Sequence, residues 1–473
     1  STTVFDNISY RRCLSLGHIL DNEGKKMSKS RGNVVNPWDH FNKEGTDAIR
    51  WYMTSQSAPW NPMNFDPNGV RETYAKMFLT LWNVHKFHLD YAILDNFDYS
   101  KDFIPVDKRN ALDRWILSRV SSVAENYHDQ YVSWEFHKAA RELENFVIND
   151  LSNWYVRRSR RRLWDEAESH DKRACQFTLH EVLLTVSKLM APIAPFMPDK
   201  IHFDLTGTSV HTADWPLGSD LVDKNLPPQD LGLEKEMSIV RMLAETGRKI
   251  RVEAKRRQRL PCKEGWIVGG PDLSEFHSII AEELNVENLT TENNLDRFQK
   301  IEVLPNHKVL GAKCRADLPK VLSELSQLDP DSLLSDIEKG TAKLAGFEIT
   351  SEDINIKRVE KEGYAASTFE VEETGDISLV LDVEITDDLV SKGLAREITR
   401  RIQSKRKELD LDLEASISLK VWLELDSPKL NEDDWQYIIS ETRSKPSELI
   451  IGNPEKDLDN FQVENNKIYF KVN

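Results

Sequence analysis

Two lysines three residues apart, Lys26 and Lys29, lie in the stretch GKKMSKSRGN at residues 24–33. Gly24 and Gly32 allow tight turns on either side, and the serines between them offer small hydroxyl donors. An ammonium group on a flexible four-carbon stem can follow a phosphate whose charge moves during a reaction. The pattern therefore predicts a loop that binds phosphate through Lys29 and Lys26.

The reaction that suits such a loop is nucleotidyl transfer from ATP. A carboxylate attacks the α-phosphate, and negative charge builds on the departing pyrophosphate. Cations placed there stabilise the transition state more than the ground state, each by about 3 kcal/mol. Lysine- and serine-rich loops are usually only solvated, but the string KMSKS is expected by chance in about one of ten thousand chains of this length. We therefore favour the functional interpretation.

The segments around this loop predict a strand, a loop and two helices. The mostly apolar run at 11–20 suits a buried strand, and the turn residues DNEG close it. Pro37 can open a short helix, and Thr46 can cap the next one. His18 is expected to be a packed or strand-end histidine.

Longer segments predict two further kinds of domain. From about 67 to 205 apolar residues recur at three- and four-residue spacing, which indicates a helical bundle, and another long helix is expected at 230–257. After Pro261, alternating strands at 377–385 and 416–425 flank a helical stretch. This pattern indicates an α+β carboxy-terminal domain.

Composition limits the class of protein. The 473 residues suit two to four domains, with 30% charged and 39% hydrophobic residues and a net charge of −16. No apolar run is long enough for a membrane span, and the four cysteines form no close pair, so we expect a cytoplasmic protein without structural zinc. A start at Ser1 within strand-like sequence leads us to expect part of a longer polypeptide.

Five arginines occupy six positions in RRSRRR at 157–162, with Trp154, Tyr155 and Trp164 beside them. A helix would carry this charge on every side, and the mixture of basic and aromatic residues suits contacts to RNA backbone and bases. The alternative is pairing with the acidic residues that follow, or a solvated face. Those acidic residues are Asp165, Glu166 and Glu168.

Two more basic stretches lie at 248–259 and 396–407. In the second, Leu394, Ile398 and Ile402 repeat every four residues, so one helix face is expected in the core and the basic residues on the others. For each stretch a solvated face and an RNA contact are equally supported.

KMSKS with the following RGNVVNPWDHFNKEGTDAIRWYM resembles the second signature of class I aminoacyl-tRNA synthetases. Four other segments make nearly the whole chain similar to the isoleucyl-tRNA synthetases, of the archaeal and eukaryotic-like type, with the valyl and leucyl enzymes as the nearest alternatives. These segments are SNWYVRRSRRRLW (152–164), SVHTADWP (209–216), ELNVENL (283–289) and GLAREITRRIQSKRKELDL (393–411).

The resemblance implies the end of a Rossmann-like α/β catalytic domain with the KMSKS loop at 1–58. An anticodon-binding bundle at 59–260 and an α+β, tRNA-contacting domain at 261–473 would follow. The HIGH signature, the amino-acid pocket and the editing domain of such enzymes precede KMSKS and are not in this sequence. The chain would then be the carboxy-terminal portion of an isoleucine-tRNA ligase, inactive alone; a free-standing, non-catalytic RNA-binding relative is the alternative.

Site residues and partners follow from the same resemblance. The expected partners of the parent enzyme are ATP with magnesium, isoleucine and tRNA(Ile). The parent enzyme is expected to be a monomer that does not bind a membrane. The ATP contacts would be Lys26, Met27, Ser28, Lys29 and Ser30, with Lys26 and Lys29 catalytic, and the tRNA contacts would be Arg157, Arg158, Arg160, Arg161, Arg162, Arg400, Arg401 and Lys405.

Overall fold

The chain forms two compact units, Ser1–Met237 and Ser238–Asn473, in a computed structural model. Each unit is described by itself, and the predicted domain limits at 58 and 260 stay predictions. The structure describes residues 2–101, 103–164, 169–216, 229–340, 342–372, 374–411, 415–423, 430–452, 454, 458–463 and 466–472.

The first unit begins with short elements, which are α1 (Thr2–Phe5), β1 (Ile19–Leu20), α2 (Pro37–Phe41), α3 (Thr46–Ser55) and β2 (Met63–Asn64). Strands β1 and β2 are parallel. The prediction of a buried strand at 11–20 is wrong, because only its last two residues pair and none of its ten side chains is buried. Gly17 allows close approach here, since a Cβ would lie 2.1 Å from the Asn61 carbonyl oxygen.

The two short helices begin close to the predicted positions. Pro37 is the first residue of α2, and the side chain of Asn36 caps it by accepting a bond from the backbone N–H of Trp38 at 3.3 Å. Helix α3 begins at Thr46 itself, and the capping position before it is Gly45, with φ +85°. The prediction of Thr46 as the cap is therefore wrong by one residue.

The rest of the first unit is a helical bundle, as predicted. Segments Tyr74–Phe78 and Phe146–Val156 are wound as π-helix and join α4 to α5 and α7 to α8 without a break. The helices are α4 (Pro67–Thr73), α5 (Leu79–Leu94), α6 (Ala111–Val132), α7 (Phe136–Asn145), α8 (Arg157–Trp164), α9 (His170–Met190) and α10 (Phe196–Thr206), and the long helix α11 (Leu231–Glu253) begins in the first unit and continues into the second.

Ion pairs and helix caps connect the helices of the bundle in addition to apolar packing. Arg109, before α6, donates two bonds to the Glu181 carboxylate of α9, at 2.7 and 2.9 Å. Asp47 of α3 accepts the first backbone N–H groups of α10, from Phe196 at 3.1 Å and Met197 at 2.7 Å. These N–H groups have no partner within their own helix, so Asp47 serves as a cap supplied from another helix.

The second unit contains both helices and sheets. Its elements are β3 (Cys262–Val268), α12 (His277–Leu284), β4 (Val286–Glu292), β5 (Gln299–Pro305), α13 (His307–Cys314), α14 (Leu318–Leu325), α15 (Pro330–Glu338), β6 (Lys343–Leu344), β7 (Phe347–Glu348), β8 (Ile354–Glu360), β9 (Tyr364–Val371), β10 (Gly375–Asp382), α16 (Asp387–Glu408), β11 (Ile417–Leu423), α17 (Glu432–Thr442), β12 (Ser444–Ile451), β13 (Asp459–Val463) and β14 (Asn466–Val472).

Two four-stranded sheets organise this unit, in the orders β4-β3-β10-β9 and β12-β11-β14-β13. Strands β3 and β4 run parallel, as do β11 and β12, and each pair is linked through a helix. Helix α16 lays its predicted apolar face, Leu394, Ile398 and Ile402, into the core beside the second sheet. Among the described residues, no helix combines the length and apolar character needed to cross a membrane.

Candidate functional site

The loop between β1 and α2 is held by the carboxylate of Asp21. One carboxylate oxygen accepts the backbone N–H groups of Glu23, at 3.0 Å, and of Lys25, at 2.7 Å. The other accepts the side-chain amide of Asn33 at 2.7 Å. Asp21 thereby fastens the two ends of the loop to each other.

Asn33 also binds the middle of the loop. Its amide oxygen accepts the backbone N–H of Ser28 at 2.9 Å, and its amide nitrogen lies 3.3 Å from the Lys26 carbonyl oxygen. Residues Lys29–Arg31 form one 3-10 turn, which Gly32 ends at φ +70°. The backbone of KMSKS is thus fixed by side chains on both sides of it.

The two lysines expected at the phosphates project from this fixed backbone. Lys26 and Lys29 are exposed, and neither forms an ion pair within the described part of the chain. Their neighbour Lys25 differs, because its ammonium lies 2.6 Å from the Glu23 carboxylate. Two mobile, uncompensated cations on a rigid backbone are the arrangement that a phosphate-binding loop needs.

The other predicted loop residues have smaller parts in the geometry. The hydroxyls of Ser28 and Ser30 lie 2.7 Å apart, so one donates to the other. Met27 is half-buried, unlike the two exposed lysines, Lys26 and Lys29. His18 is exposed and directly precedes β1, so it is a strand-end histidine rather than a packed one.

Sequence reasoning missed Asp21 and Asn33 as functional residues. The only signal was their position, with Asp21 opening the DNEG turn and Asn33 following Gly32. The hydrogen bond from Asn33, and then that from the backbone of Lys25, lower the pKa of Asp21. The carboxylate is therefore ionised, and able to accept all three bonds, throughout the neutral range.

Four of the five arginines of the run have different settings on α8, with Arg157, Arg160 and Arg161 exposed and Arg158 half-buried. Arg157 bonds the Asn153 carbonyl oxygen at 3.0 Å, and the guanidinium carbon of Arg158 lies 4.1 Å from the centre of the Trp154 ring. Arg160 and Arg161 are exposed. Arg160 forms no ion pair within the described residues, which do not include the acidic candidates Asp165, Glu166 and Glu168.

Arg162 is placed differently from the rest of the run. Its guanidinium donates to both carboxylate oxygens of Asp113, at 2.8 and 2.6 Å, and to Asp171 at 2.6 Å. Asp113 is fully buried and also accepts the hydroxyl of Tyr155. Asp113 belongs to α6 and Asp171 belongs to α9, so Arg162 of α8 links these three helices. The two carboxylates also neutralise its charge.

The predicted cations of α16 are also engaged by carboxylates. Arg400 and Arg401 both donate to one oxygen of Glu397, at 2.8 and 3.0 Å. Lys405 lies 3.1 Å from Asp459 and 3.6 Å from Glu408. These side chains remain partly exposed, so a phosphate would have to share them with their present partners.

Metal-binding side chains do not gather in threes anywhere in the described residues. Cys13 is exposed, the other three cysteines are buried, and all four are free. Burial raises the pKa of Cys175 to about 11, which keeps that thiol protonated. The expectation of no structural zinc stays a prediction, and no described residue is identified as a magnesium ligand.

Two parts of the chain match known families. Residues 1–66 match "tRNA synthetases class I (I, L, M and V)", and residues 113–265 match "Anticodon-binding domain of tRNA ligase". The first match contains the KMSKS loop, and the second contains α8 with its arginines.

Curated relatives match over nearly the whole chain. The isoleucine–tRNA ligase of Clostridium acetobutylicum is 35% identical over 437 residues, which are 89% of this chain and 41% of that protein. Isoleucine–tRNA ligase 2 of Bacillus cereus is 34% identical over 464 residues, 94% of this chain and 44% of that protein. The chain thus spans less than half the length of these relatives, and their bacterial origin leaves the archaeal and eukaryotic-like subtype a prediction.

A solved leucyl-tRNA synthetase of Agrobacterium radiobacter, in a ternary complex with tRNA and LeuAMS, aligns at 21% identity over 43% of this chain and 24% of that one. Its TM-score of 0.33 is too low to support a conclusion about the fold. The sequence relatives and the two matched families carry the assignment: the predicted resemblance to class I aminoacyl-tRNA synthetases, and among them to isoleucine–tRNA ligases, is confirmed.

Proposed function

We propose that the chain is the carboxy-terminal portion of an isoleucine–tRNA ligase, and that it supplies the KMSKS loop and much of the tRNA-binding surface. The observation that carries the proposal is the loop itself, with Lys26 and Lys29 uncompensated on a backbone that Asp21 and Asn33 hold. The identity with isoleucine–tRNA ligases over 89% of the chain supports the same assignment.

In the proposed reaction the isoleucine carboxylate attacks the α-phosphorus of ATP. A new P–O bond forms in isoleucyl-adenylate, the bond to the β-phosphate oxygen breaks, and pyrophosphate leaves with the electron pair. Lys29, with Lys26, lies where charge accumulates on the pyrophosphate, and the contact strengthens as that bond breaks. Magnesium would accompany ATP as part of the substrate.

The RNA-binding part of the proposal rests on α8 and the family match at 113–265. Arg157, Arg158, Arg160 and Arg161 form the surface we expect to meet tRNA phosphates, and Arg162 supports it from inside. Binding follows local rather than net potential, so the total charge of −16 does not prevent it. The partner tRNA(Ile), the monomeric state and the cytoplasmic location belong to this proposal.

Isoleucine-dependent exchange of pyrophosphate into ATP tests the catalytic part. The complete parent enzyme should catalyse exchange with isoleucine rather than valine or leucine, whereas this chain alone should not, because ATP must be held from both signatures. Exchange by the purified chain, free of host enzyme, would contradict the proposal.

A free-standing, non-catalytic RNA-binding relative is the second candidate, because the match to an anticodon-binding domain at 113–265 supports RNA binding by either protein. Mass spectrometry of the native protein separates the two candidates. A native mass near 54.6 kDa supports the free-standing protein, and a mass about twice as large supports the ligase.

A further inference from the structure

The second unit contains the same arrangement of strands and helix twice. In each four-stranded sheet the first two strands are parallel and joined through a helix, and the spatial order is second, first, fourth, third. The fourth strand is antiparallel to the first in both sheets. One set is β3, α12, β4, β9 and β10, and the other is β11, α17, β12, β13 and β14. The two sets can therefore be compared element by element.

Backbone contacts at the ends of the two helices also correspond. Asn285 ends α12 and Arg443 ends α17, both in the left-handed conformation, at φ +52° and φ +51°. Their carbonyl oxygens accept the backbone N–H groups of Cys262, at 2.9 Å, and of Ile417, at 3.1 Å, which begin β3 and β11. The two sets therefore agree in local geometry as well as in strand order.

The two sets differ in the connection between their second and third strands. In the second set residues 452–458 make this connection, whereas in the first set residues 293–363 connect β4 to β9. This inserted segment, 293–363, contains the antiparallel ribbon of β5 and β8, the helices α13, α14 and α15, and an apolar core of its own that extends in sequence from Leu310 to Ile354. Because the second set forms its sheet with a short connection, the inserted segment is available for a role other than stabilising a sheet.

Strand β8 of the inserted segment has an open edge. Within the described residues it pairs only with β5, and residues 355–358 are all exposed. Edge strands are usually short, covered, or interrupted by proline or a bulge, because unpaired backbone groups attract other strands. Strand β8 has seven residues, contains no proline and keeps an unbroken register with β5. It can therefore accept a further strand.

The backbone groups available at this edge belong to alternate residues. Directly after β8, the N–H of Lys361 donates to the carbonyl oxygen of Phe298 at 2.8 Å. In an antiparallel pair every second residue bonds the partner strand, and the residues between them direct their N–H and C=O groups to the other side. Counted from Lys361 in the register of the ribbon, Ile356 and Arg358 direct these groups away from β5.

The side chains at the edge define which segment fits it. Ile356 is 55% exposed and lies on the same face of β8 as Arg358, while Lys357 lies on the other face. Lys357 forms no ion pair within the described residues, and the guanidinium of Arg358 lies 3.9 Å from the carboxylate of Asp296, with both side chains mostly exposed. An added strand would therefore place an apolar side chain beside Ile356 and acidic side chains beside Lys357 and Arg358.

A groove of about 460 Å³ extends this surface from Arg358. Among its described lining residues are three cations and two carboxylates, so its charge is positive, while Ile301 of β5 and Pro330 of α15 add apolar surface. The ammonium of Lys361, one of the cations, donates to the carbonyl oxygen of Arg297 at 2.9 Å, which orients it without neutralising it. A carboxylate of an added strand would thus meet Arg358 and Lys361 in the same groove.

A peptide fits this edge better than nucleic acid or a second copy of the chain does. The described residues of β5 and β8 include no aromatic side chain on which a base could stack, and Glu302 and Glu360 on the ribbon would repel phosphates. Pairing with β8 of a second copy would bring Lys357 and Arg358 of both copies close together. An acidic extended segment is therefore the occupant that the charges favour.

We propose that the open edge of β8 binds an extended acidic segment of a partner protein as an additional strand. An apolar residue of that segment would lie beside Ile356, and the acidic residues next to it in sequence would meet Lys357 and Arg358. The backbone of the segment would bond the outward N–H and C=O groups of Ile356 and Arg358. This role goes beyond the proposed function, because it involves neither ATP nor tRNA.

Peptide binding to the full 473-residue chain tests the proposal. The probe is a fluorescent heptapeptide with a central valine, two glutamates on each side and a threonine at each end, so that it fits the edge in either direction. We expect binding in the micromolar range that weakens as the salt concentration rises. Glutamine in place of glutamate should weaken binding about tenfold. N-methylation of the valine and the outer glutamates removes the donors that face β8 and should abolish binding.

Two kinds of variant test the backbone and the charges separately. Ile356→Pro removes an outward N–H and no bond to β5, so it should weaken binding about tenfold or more, whereas Ile356→Thr keeps the N–H and should cost only about threefold. Lys357→Glu with Arg358→Glu should reject the acidic peptide and bind a peptide with lysine in place of glutamate. Lys339→Glu with Lys343→Glu makes the same charge change at exposed positions outside β8 and should alter affinity less than about twofold.

Melting curves show whether each variant is folded. If Ile356→Pro is not, the charge-reversal variant decides, because it changes only exposed side chains. The inference is overturned if the acidic peptide does not bind at about 1 mM, if its N-methylated form binds equally well, or if the reversed variant still prefers it. Displacement of the peptide by single-stranded RNA, or self-association of the chain that Ile356→Pro removes, would also overturn it.

Binding of tRNA(Ile) distinguishes this inference from the proposed function. Ile356→Pro should bind tRNA(Ile) as the original chain does. A loss of tRNA binding in this folded variant would make the edge an RNA contact, which overturns the inference and leaves the proposed function in place. Absence of tRNA binding by the original chain would contradict the RNA-binding part of the proposed function and leave the peptide result unaffected.

Discussion

The side-chain amide of Asn33 donates to the Asp21 carboxylate over 2.7 Å, and this contact closes the loop that carries both catalytic candidates. Neither residue would touch the phosphates in the proposed reaction. Their effect is to hold the backbone of residues 26–30, so that the two lysines move only through their own side chains. The loop can therefore be tested at two levels, its cations and its support.

The support of the loop is tested by Asn33→Ala in the parent enzyme. The change removes the bonds to Asp21, Ser28 and Lys26, so we expect isoleucine-dependent pyrophosphate exchange to slow about tenfold, with isoleucine binding unchanged. Asn36→Ala, which removes the cap of α2 and a bond to Asp39 within that helix, is the matched control and should have little effect. Equal effects of the two changes would show that Asn33 has no special role.

The cations are tested by Lys29→Ala, also in the parent enzyme. The activation rate should fall on the order of a hundredfold, because the contact strengthens mainly in the transition state. Lys25→Ala removes a lysine that already pairs with Glu23, and should leave the rate within about twofold. A normal rate for Lys29→Ala would remove the loop from the mechanism.

The arginines of α8 are tested by comparing Arg160→Gln with Arg162→Gln. Both change the net charge by one, but only Arg160 is exposed without an ion pair in the described residues. Arg160→Gln should reduce the log–log salt dependence of tRNA binding by about 0.7 to 0.9 and leave the melting temperature unchanged.

Arg162→Gln should give the opposite result. It leaves the fully buried Asp113 carboxylate without its bidentate partner, so we expect a loss of about 3 to 5 kcal/mol in stability. Binding of tRNA, measured well below the melting temperature, should keep its salt dependence. A change in salt dependence for Arg162→Gln without a loss of stability would contradict the contacts seen here.

Buried histidines make the bundle sensitive to acid. Burial lowers the pKa of His88 to about 3 and that of His180 to about 4. Between those values and the ordinary value near 6.5, the unfolded chain binds these protons and the folded chain does not. Stability should therefore fall as the pH drops below about 6.5, by about 1.4 kcal/mol per pH unit for each histidine.

Unfolding of the first-unit helices in urea, followed between pH 7.5 and 5, measures this dependence. The variant His88→Gln cannot titrate and should show a shallower fall of stability with decreasing pH, whatever its stability at pH 7.5. A parallel pH dependence for the variant and the original chain would show that His88 is not responsible.

Periodic patterns predicted the helices and strands well. Residues on a buried face are apolar, and they recur every three to four positions in a helix and every two positions in a strand. The face of α16 with Leu394, Ile398 and Ile402 is an example. The run at 11–20 failed because apolar residues are buried only where another element covers them, and here only Ile19 and Leu20 pair with β2.

The motif predicted the lysines but not what holds them. Asp21 and Asn33 are twelve residues apart, and nothing in a single sequence shows that their side chains meet. The arginine run shows the same limit. Arg160 and Arg162 are the same residue type in the same run, and they differ because Arg162 contacts Asp113, which lies 49 residues earlier in the sequence. Contacts between distant parts of a chain are set by packing, which local patterns do not contain.

In homologous chains, the residue types found at the positions of Arg160 and Arg162 should differ in how freely they vary. At the position of Arg160, lysine supplies the same charge to solvent, so exchange between the two residues should be frequent over time. At the position of Arg162 a lysine cannot reproduce the bidentate contact to Asp113, and drift there should require a matching change at the aspartate. The arginine run thus contains positions, such as that of Arg160, that should vary independently, and one position, that of Arg162, that should vary only together with Asp113.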